Sequence, residues 1–252
     1  MKKIIIGEHI VKSFGEGDEK RDVIDGASVE INEGEFVAVM GPSGSGKSTL
    51  MFALSGMDSV DGGRVTFNGS DISSVGEAEL SDLRRTKMGF VFQQSTMLKN
   101  LNILDNIILP SMRDNRKNVA KISEKARELM KRVGIAELET RDITQVSGGQ
   151  LQRAGICRAL LNSPKIIFGD EPTGALNSKS AQEIMDIFSE INAGGTAIML
   201  VTHDAKVAAR TERIMFMLDG KIVSELKLPK FDGTAIDGRV EKVTEKMWKI
   251  GI

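Results

Sequence analysis

The octapeptide Gly41-Pro42-Ser43-Gly44-Ser45-Gly46-Lys47-Ser48 keeps every fixed position of the spacing G-x-x-x-x-G-K-[ST]. Its glycines let successive backbone N–H groups turn inward around anionic oxygens. A helix starting there adds the partial positive charge of its N-terminus. Lys47 brings a full charge for the β- and γ-phosphates of a nucleoside triphosphate, the Ser48 hydroxyl is placed to ligate Mg²⁺, and Thr49 continues the loop into the helix.

A second cluster follows far downstream. Ile166-Ile167-Phe168-Gly169-Asp170-Glu171 is an apolar run ending in two acids. A strand-end Asp beside a phosphate loop holds Mg²⁺, and an adjacent Glu can polarise an attacking water as general base. A kinase that phosphorylates a substrate needs no such second acid. Taken alone, the loop is compatible with kinases, GTPases, motors, recombinases and transporters; with Asp170-Glu171 it points to hydrolysis.

These residues need strands and helices to aim them. Apolar runs predict strands at Ile4–Val11, Val23–Ile31, Phe36–Met40, Arg64–Phe67, Met88–Phe92, Ile166–Phe168, Ala197–Val201, Arg213–Met217 and Ile222–Leu226. Phe36–Met40, Ile166–Phe168 and Ala197–Val201 are apolar throughout, as central parallel strands buried on both faces are. Asp219-Gly220 reads as a tight hairpin turn. From about Ser95 to Pro164 no strand pattern occurs. There Val119, Ile122, Ala126, Leu129, Met130 and Val133 form one apolar face of a helix over Lys117–Gly134. The expectation is an α/β fold, with a mostly helical insert and an antiparallel β portion.

Composition sets limits on partners. Thirty-four basic residues against 35 acidic ones leave a net charge of −1, which offers no basic excess for nucleic acid. One cysteine, Cys157, excludes an internal disulfide framework. The apolar run at Ile4–Ile6 is too short for a secretory signal, and no stretch approaches the roughly 18 apolar residues of a membrane span. The expectation is a soluble chain that reaches a membrane only through a partner.

Val146-Ser147-Gly148-Gly149-Gln150 just upstream of the Asp170-Glu171 strand resembles the signature of the ABC ATPases, Leu-Ser-Gly-Gly-Gln, with Val for Leu. The remaining elements stand in order. Phe14, in Lys12-Ser13-Phe14-Gly15, matches the aromatic residue that stacks on adenine, usually Tyr; its other reading is a β-subdomain core residue. Gln93, after Phe92, matches the glutamine that approaches Mg²⁺ and water, and His203, in Thr202-His203-Asp204, matches the switch histidine that holds the γ-phosphate and the water. His9 matches nothing. One departure is Asn177, where the family commonly has Asp; it keeps the hydrogen-bonding shape and drops the charge, so contacts between the two sites across the dimer are expected to be weaker.

The resemblance implies a P-loop NTPase (RecA-like) core with an antiparallel β subdomain and an inserted helical subdomain. Residues 1–228 would form the ATPase domain (1–94 and 162–228 the core and β subdomain, 95–161 the helical subdomain) and 229–252 a tail. It implies ATP and Mg²⁺ as ligands, with Ser48, Gln93 and Asp170 on the metal. It also implies a head-to-tail homodimer in which Ser147, Gly148, Gly149 and Gln150 of one copy close over the nucleotide on the other's loop. Within the family, Gly41–Met51, Leu83–Gln93 and Asp170–Leu176 look like the macrolide-exporter, lipoprotein-release and antimicrobial-peptide-resistance subgroup, and Gly174–Ser180 leans toward the bacitracin-resistance members. Such a chain would sit at the cytoplasmic face of the membrane and work a separate permease. Met97, Leu98, Leu101 and Ile103 are read as groove residues for it, or else as core of the insert. A cell-wall or division regulator of the same subgroup is the alternative. A soluble ABC ATPase of chromosomes or ribosomes is more remote, since the long coiled coil or second cassette of those types is absent. Val243, Met247 and Trp248 are read as a short helix packed on the domain's own surface, or as a partner-binding one.

Overall fold

The computed structural model describes residues 2–113 and 118–252. Two sheets carry the fold. The first is a four-stranded antiparallel sheet ordered β2-β1-β4-β5, built from β1 (Lys3–Phe14), β2 (Arg21–Asn32), β4 (Gly62–Phe67) and β5 (Ser70–Asp71). The second is ordered β10-β9-β3-β8-β7-β6, with β3 (Phe36–Met40), β6 (Met88–Phe92), β7 (Ile166–Asp170), β8 (Ala197–Val201), β9 (Arg213–Leu218) and β10 (Lys221–Lys227). Its pairs are parallel except β9–β10. The three uninterrupted apolar runs are adjacent at its centre, and β3 and β8 are buried at every residue. The β9–β10 turn has positive φ at both Asp219 and Gly220, the backbone that a two-residue hairpin of the right twist requires.

Helix α1 (Lys47–Leu54) lies between the sheets, with Leu50, Met51 and Leu54 in a core shared with Ile5, Ile24, Ile31, Val37 and Phe168. The other face of the large sheet is covered by α5 (Gly148–Leu160) and α6 (Ser178–Ala193), which bury Ile156, Ile184 and Phe188 against Ile167, Ile198 and Leu200. Each such side chain stabilises the fold by about 1.5–3 kcal/mol, enough in sum to hold the strand ends in register.

Helices α3 (Ile103–Met112) and α4 (Val119–Arg132) join α5 around a separate core of Ile107, Ala126, Met130, Ile135 and Cys157. The helix expected over Lys117–Gly134 is α4; Lys117 lies outside the described residues. Cys157 is fully buried, which pushes its thiol up to about 12. Two of the four groove candidates are corrected here. Met97 and Ile103 are buried in this core, while Leu98 is exposed and Leu101 half-buried. The Asn106 side chain causes the split: it accepts from the Leu98 N–H and donates to the carbonyls of Leu98 and Leu101, folding that loop over the core.

Helix α2 (Glu77–Lys87) has no fully buried residue and sets only the half-buried Leu80 and Leu83 against the core, too narrow an apolar face to announce it. The four-residue α7 (Ala205–Ala208) and α8 (Ile236–Lys249) close one end of the large sheet. Val243 and Met247 of α8 pack there, but Trp248 stays 78% exposed, so it is no part of that packing. Arg239 anchors α8 by donating to the carbonyls of Ala209, Thr211 and Pro229, with its guanidinium over the Phe231 ring. No helix among the described residues is long and apolar enough to cross a membrane.

Candidate nucleotide site

The phosphate loop leaves the buried end of β3 and enters α1. Close packing dictates its first glycine: a Cβ on Gly41 would lie 2.1 Å from the Met217 carbonyl oxygen. Conformation dictates the last: Gly46 has φ +96 and begins the helix. The outer side of the loop is fastened to the β9–β10 turn, where the Gly220 N–H donates to the Ser45 carbonyl. A cavity of about 560 Å³ opens above, lined by Ser43, Gly44, Gly46, Lys47, Ser48 and Thr49 with Val23, Glu171 and His203. That is a volume ordinary for a small-molecule site.

Two features mark the loop as built for an anion. Among the described residues the buried Ser45 hydroxyl has no hydrogen-bond partner. The buried Lys47 ammonium donates to neighbouring loop carbonyls, Gly41 at 3.0 Å and Pro42 at 2.8 Å. Burial lowers the Lys47 pKa, and the charges of Glu171 and Asp170 oppose that shift. For Asp170 burial raises the pKa, the Ser48 hydrogen bond opposes it, and Glu171 adds to it. Both charges are thus held at a cost that an arriving phosphate and cation would relieve.

At the end of β7, Glu171 takes a left-handed backbone, φ +44, which is uncommon outside glycine and costs on the order of 1–3 kcal/mol. Its N–H donates to the Val201 carbonyl, which fixes the turn against β8. Its Oε1 lies 2.9 Å from Nδ1 of His203. His203 is brought there by β8, whose exit is tied to β3 by the Thr202 N–H bonding the Val39 carbonyl. Gln93, leaving β6, converges on the same place. A Cβ built on Gly174 would lie 2.9 Å from Nε2 of Gln93 and 3.3 Å from Oε2 of Glu171.

The single chain therefore gathers Lys47, Ser48, Glu171 and His203 on the cavity wall, with Asp170 bonded to Ser48 and Gln93 beside Glu171 behind it. It does not bring in the rest. Ser147 and Gly148 are exposed, Gly149 faces Ser180, and none of the three lines the cavity. Ser147 caps α5 through a reciprocal pair: its Oγ accepts from the Gln150 N–H, and the Gln150 side-chain oxygen accepts from the Ser147 N–H. Phe14 is 49% exposed at the end of β1, with the Lys12 ammonium 5.4 Å from its ring, so the core reading of it is wrong. Asn177 caps its own helix, α6, accepting from the Ser180 N–H. Sequence reasoning missed Val23, Gly174 and Gln152. The Gln152 amide donates to the carbonyls of Phe92 and Pro172, contacts 60 and 20 residues away that leave no local signal.

The donor set bears on a metal. Among the described residues no three His, Cys, Asp or Glu side chains cluster as metal ligands. One carboxylate, one hydroxyl and one amide do not make a cage for Mg²⁺, but they suit an ion that keeps waters and arrives with phosphates.

Residues 24–174 match the family described as ABC transporter. The chain is 42% identical over 215 residues to an uncharacterized ABC transporter ATP-binding protein, YknY, of Bacillus subtilis, covering 85% of this chain and 93% of that one. It is 40% identical over 239 residues to the macrolide export ATP-binding/permease protein MacB of Bdellovibrio bacteriovorus, covering 94% of this chain but only 36% of that protein, so it spans about a third of that relative's length. Among solved structures, it is similar to the dimeric ATP-binding cassette MJ0796 in a post-hydrolysis state bound to ADP and Pi, at 34% identity and a TM-score of 0.81, over 90% of this chain and 100% of that one. A second dimeric structure of that cassette gives 36% identity and a TM-score of 0.82 over the same shares.

Proposed function

The chain belongs to the ABC transporter family, and from that premise we propose that it is an ATP-hydrolysing subunit whose site is completed by a second copy of itself and whose work is delivered to a separate membrane permease. The observation that carries this is the pairing of Glu171 with His203 beside the phosphate loop. In this reading the loop N–H groups and Lys47 hold the β- and γ-phosphates, and Phe14 stacks on adenine. Ser48, Asp170 and Gln93 would hold Mg²⁺, which when bound offsets phosphate charge. Glu171 accepts the proton of the attacking water, and His203 orients the Glu171 carboxylate and reaches the γ-phosphate. Ser147, Gly148 and Gly149 of the second copy supply N–H groups and a hydroxyl to the far side of the nucleotide; Gln150 supports them through its cap on Ser147.

The division into core (1–94 and 162–228), helical subdomain (95–161) and tail (229–252) belongs to the same proposal. A permease would dock where the first two meet. There a cleft of about 360 Å³ is lined by Arg84, Phe90, Phe92, Pro110 and Arg158. It adjoins Gln93 and replaces the Met97 and Ile103 surface; docked there, the chain would work from the cytoplasmic face of the membrane. Export of a peptide, antibiotic or lipid-linked substrate is the work expected of that pair.

The test is Glu171→Gln, which removes the base and leaves the phosphate contacts. With ATP and Mg²⁺ it should elute as a dimer on gel filtration and hydrolyse about 10²–10⁴ times more slowly than wild type. A variant that stays monomeric with ATP and hydrolyses at the wild-type rate would refute both the assignment of Glu171 and the two-copy site.

A further inference from the structure

We propose that Gln152 is a positioning residue that couples the orientation of α5 to the two side chains at the proposed hydrolytic centre, Gln93 and Glu171; the proposal rests on the ATPase reading above. Gln152 is 5% exposed. Its side-chain nitrogen spends both hydrogens on backbone carbonyls, Phe92 at 3.0 Å and Pro172 at 2.7 Å. Phe92 immediately precedes Gln93, and Pro172 immediately follows Glu171. One planar amide therefore holds the chain at the root of each side chain. Because the amide is rigid, the two carbonyls cannot drift apart or rotate independently without losing a bond.

The two roots lie where the ladder between β6 and β7 ends. Phe92↔Asp170 is the last registered pair between β6 and β7, so the residues beyond it have no ladder to fix their spacing. Gln152 takes over at that point from behind. In front, Gln93 Nε2 and Glu171 Oε2 converge over Gly174. The bond from Gln152 thus sets how far apart the metal-directed amide and the general base stand.

The same helix begins at the exposed cap Ser147, five residues earlier, or about 7.5 Å of rise along α5. Gln152 and Ser147 are rigidly joined. Any tilt of α5 that moves Ser147 toward or away from a second copy's nucleotide also pulls on the Phe92 and Pro172 carbonyls. In this way the water-activating pair of one copy is set by the position of its own signature helix, without a contact between Gln152 and nucleotide. Arg153, the next residue, ties the same turn of α5 to the Val133 carbonyl and to Glu183 of α6, so the turn does not swing freely around Gln152.

The test uses the full chain and steady-state ATP hydrolysis. Gln152→Met keeps the volume and removes both donors; Gln152→Asn keeps the amide but withdraws it by one methylene. Both should lower kcat by about tenfold or more, since a displacement on the order of 1 Å at a reacting centre is enough for that. The KM for ATP should stay within about twofold, because the phosphate loop is untouched. In a Gln93→Ala background the Gln152→Met loss should shrink by at least about threefold, as expected for residues acting on one another. Melting curves report folding, and Gln152→Asn carries the test if Gln152→Met does not fold. A folded Gln152 variant with wild-type kcat, or a loss that adds fully to that of Gln93→Ala, would overturn the proposal. Loss of the ATPase reading itself would show differently, as wild-type protein without ATP hydrolysis or with hydrolysis unaffected by Glu171→Gln.

Discussion

The Ser48 hydroxyl donates a 2.7 Å hydrogen bond to Oδ1 of Asp170, joining the first turn of α1 to the end of β7 across 122 residues. This bond is the main relief for a carboxylate whose burial raises its pKa. The sign of the pH effect follows. Below the unfolded pKa of about 3.9 the group is neutral in both states and costs nothing; as pH rises through the unfolded and then the raised folded value, the folded state loses stability relative to the unfolded.

Asp170→Asn should therefore melt higher than wild type at pH 7 without nucleotide, by about 2–4 °C for each kcal/mol recovered. The difference should shrink as the pH is lowered toward 4, read by differential scanning calorimetry. The same variant should lose Mg²⁺-dependent hydrolysis. A lower melting temperature at pH 7 would show that the carboxylate is not held at a cost.

Gly174 is not in the left-handed region, so its backbone accepts a side chain; what excludes one is the pair of polar groups above it. Gly174→Ala should fold normally and push Gln93 and Glu171 apart. A fall in kcat of about 10² with KM for ATP little changed is expected from steady-state kinetics. Equal kcat in the two proteins would mean that the two side chains need not converge there.

Asn177 accepts the Ser180 N–H at the start of α6, whose first turn holds no acid. Asn177→Asp would keep the cap and add a charge at the positive end of the helix. It should stabilise by about 0.3–1 kcal/mol at low salt and less at high salt. Paired melting curves at the two salt concentrations check this. The residue thus caps its own helix, a role independent of the contact between copies that the sequence suggested.

What could be read in advance was what is contiguous. The loop at Lys47, the acids at Asp170-Glu171 and the turn at Asp219-Gly220 each carry their chemistry within a few residues, and the buried strands announce themselves by unbroken apolar runs. What could not be read depends on distant chain. Gln152 looks like any polar helix residue until its carbonyl partners are known. Met97 and Ile103 look like Leu98 until Asn106 folds the loop. Helix α2 hid because nothing on it is fully buried, and the two-residue β5 is shorter than any pattern. Trp248 looked like a packing residue by type, yet it falls on the outer face of α8.

The strand that carries the phosphate loop, β3, is flanked on both sides by strands from late in the chain, β8 and β9. During synthesis on the ribosome, residues 36–48 emerge long before either neighbour exists. Until about residue 218 has cleared the exit tunnel, the loop has no β9 behind Gly41 and no His203 opposite Glu171. Until then the loop lacks the neighbours that shape its cavity, and β3, buried at every residue in the finished fold, waits through most of synthesis without its sheet partners.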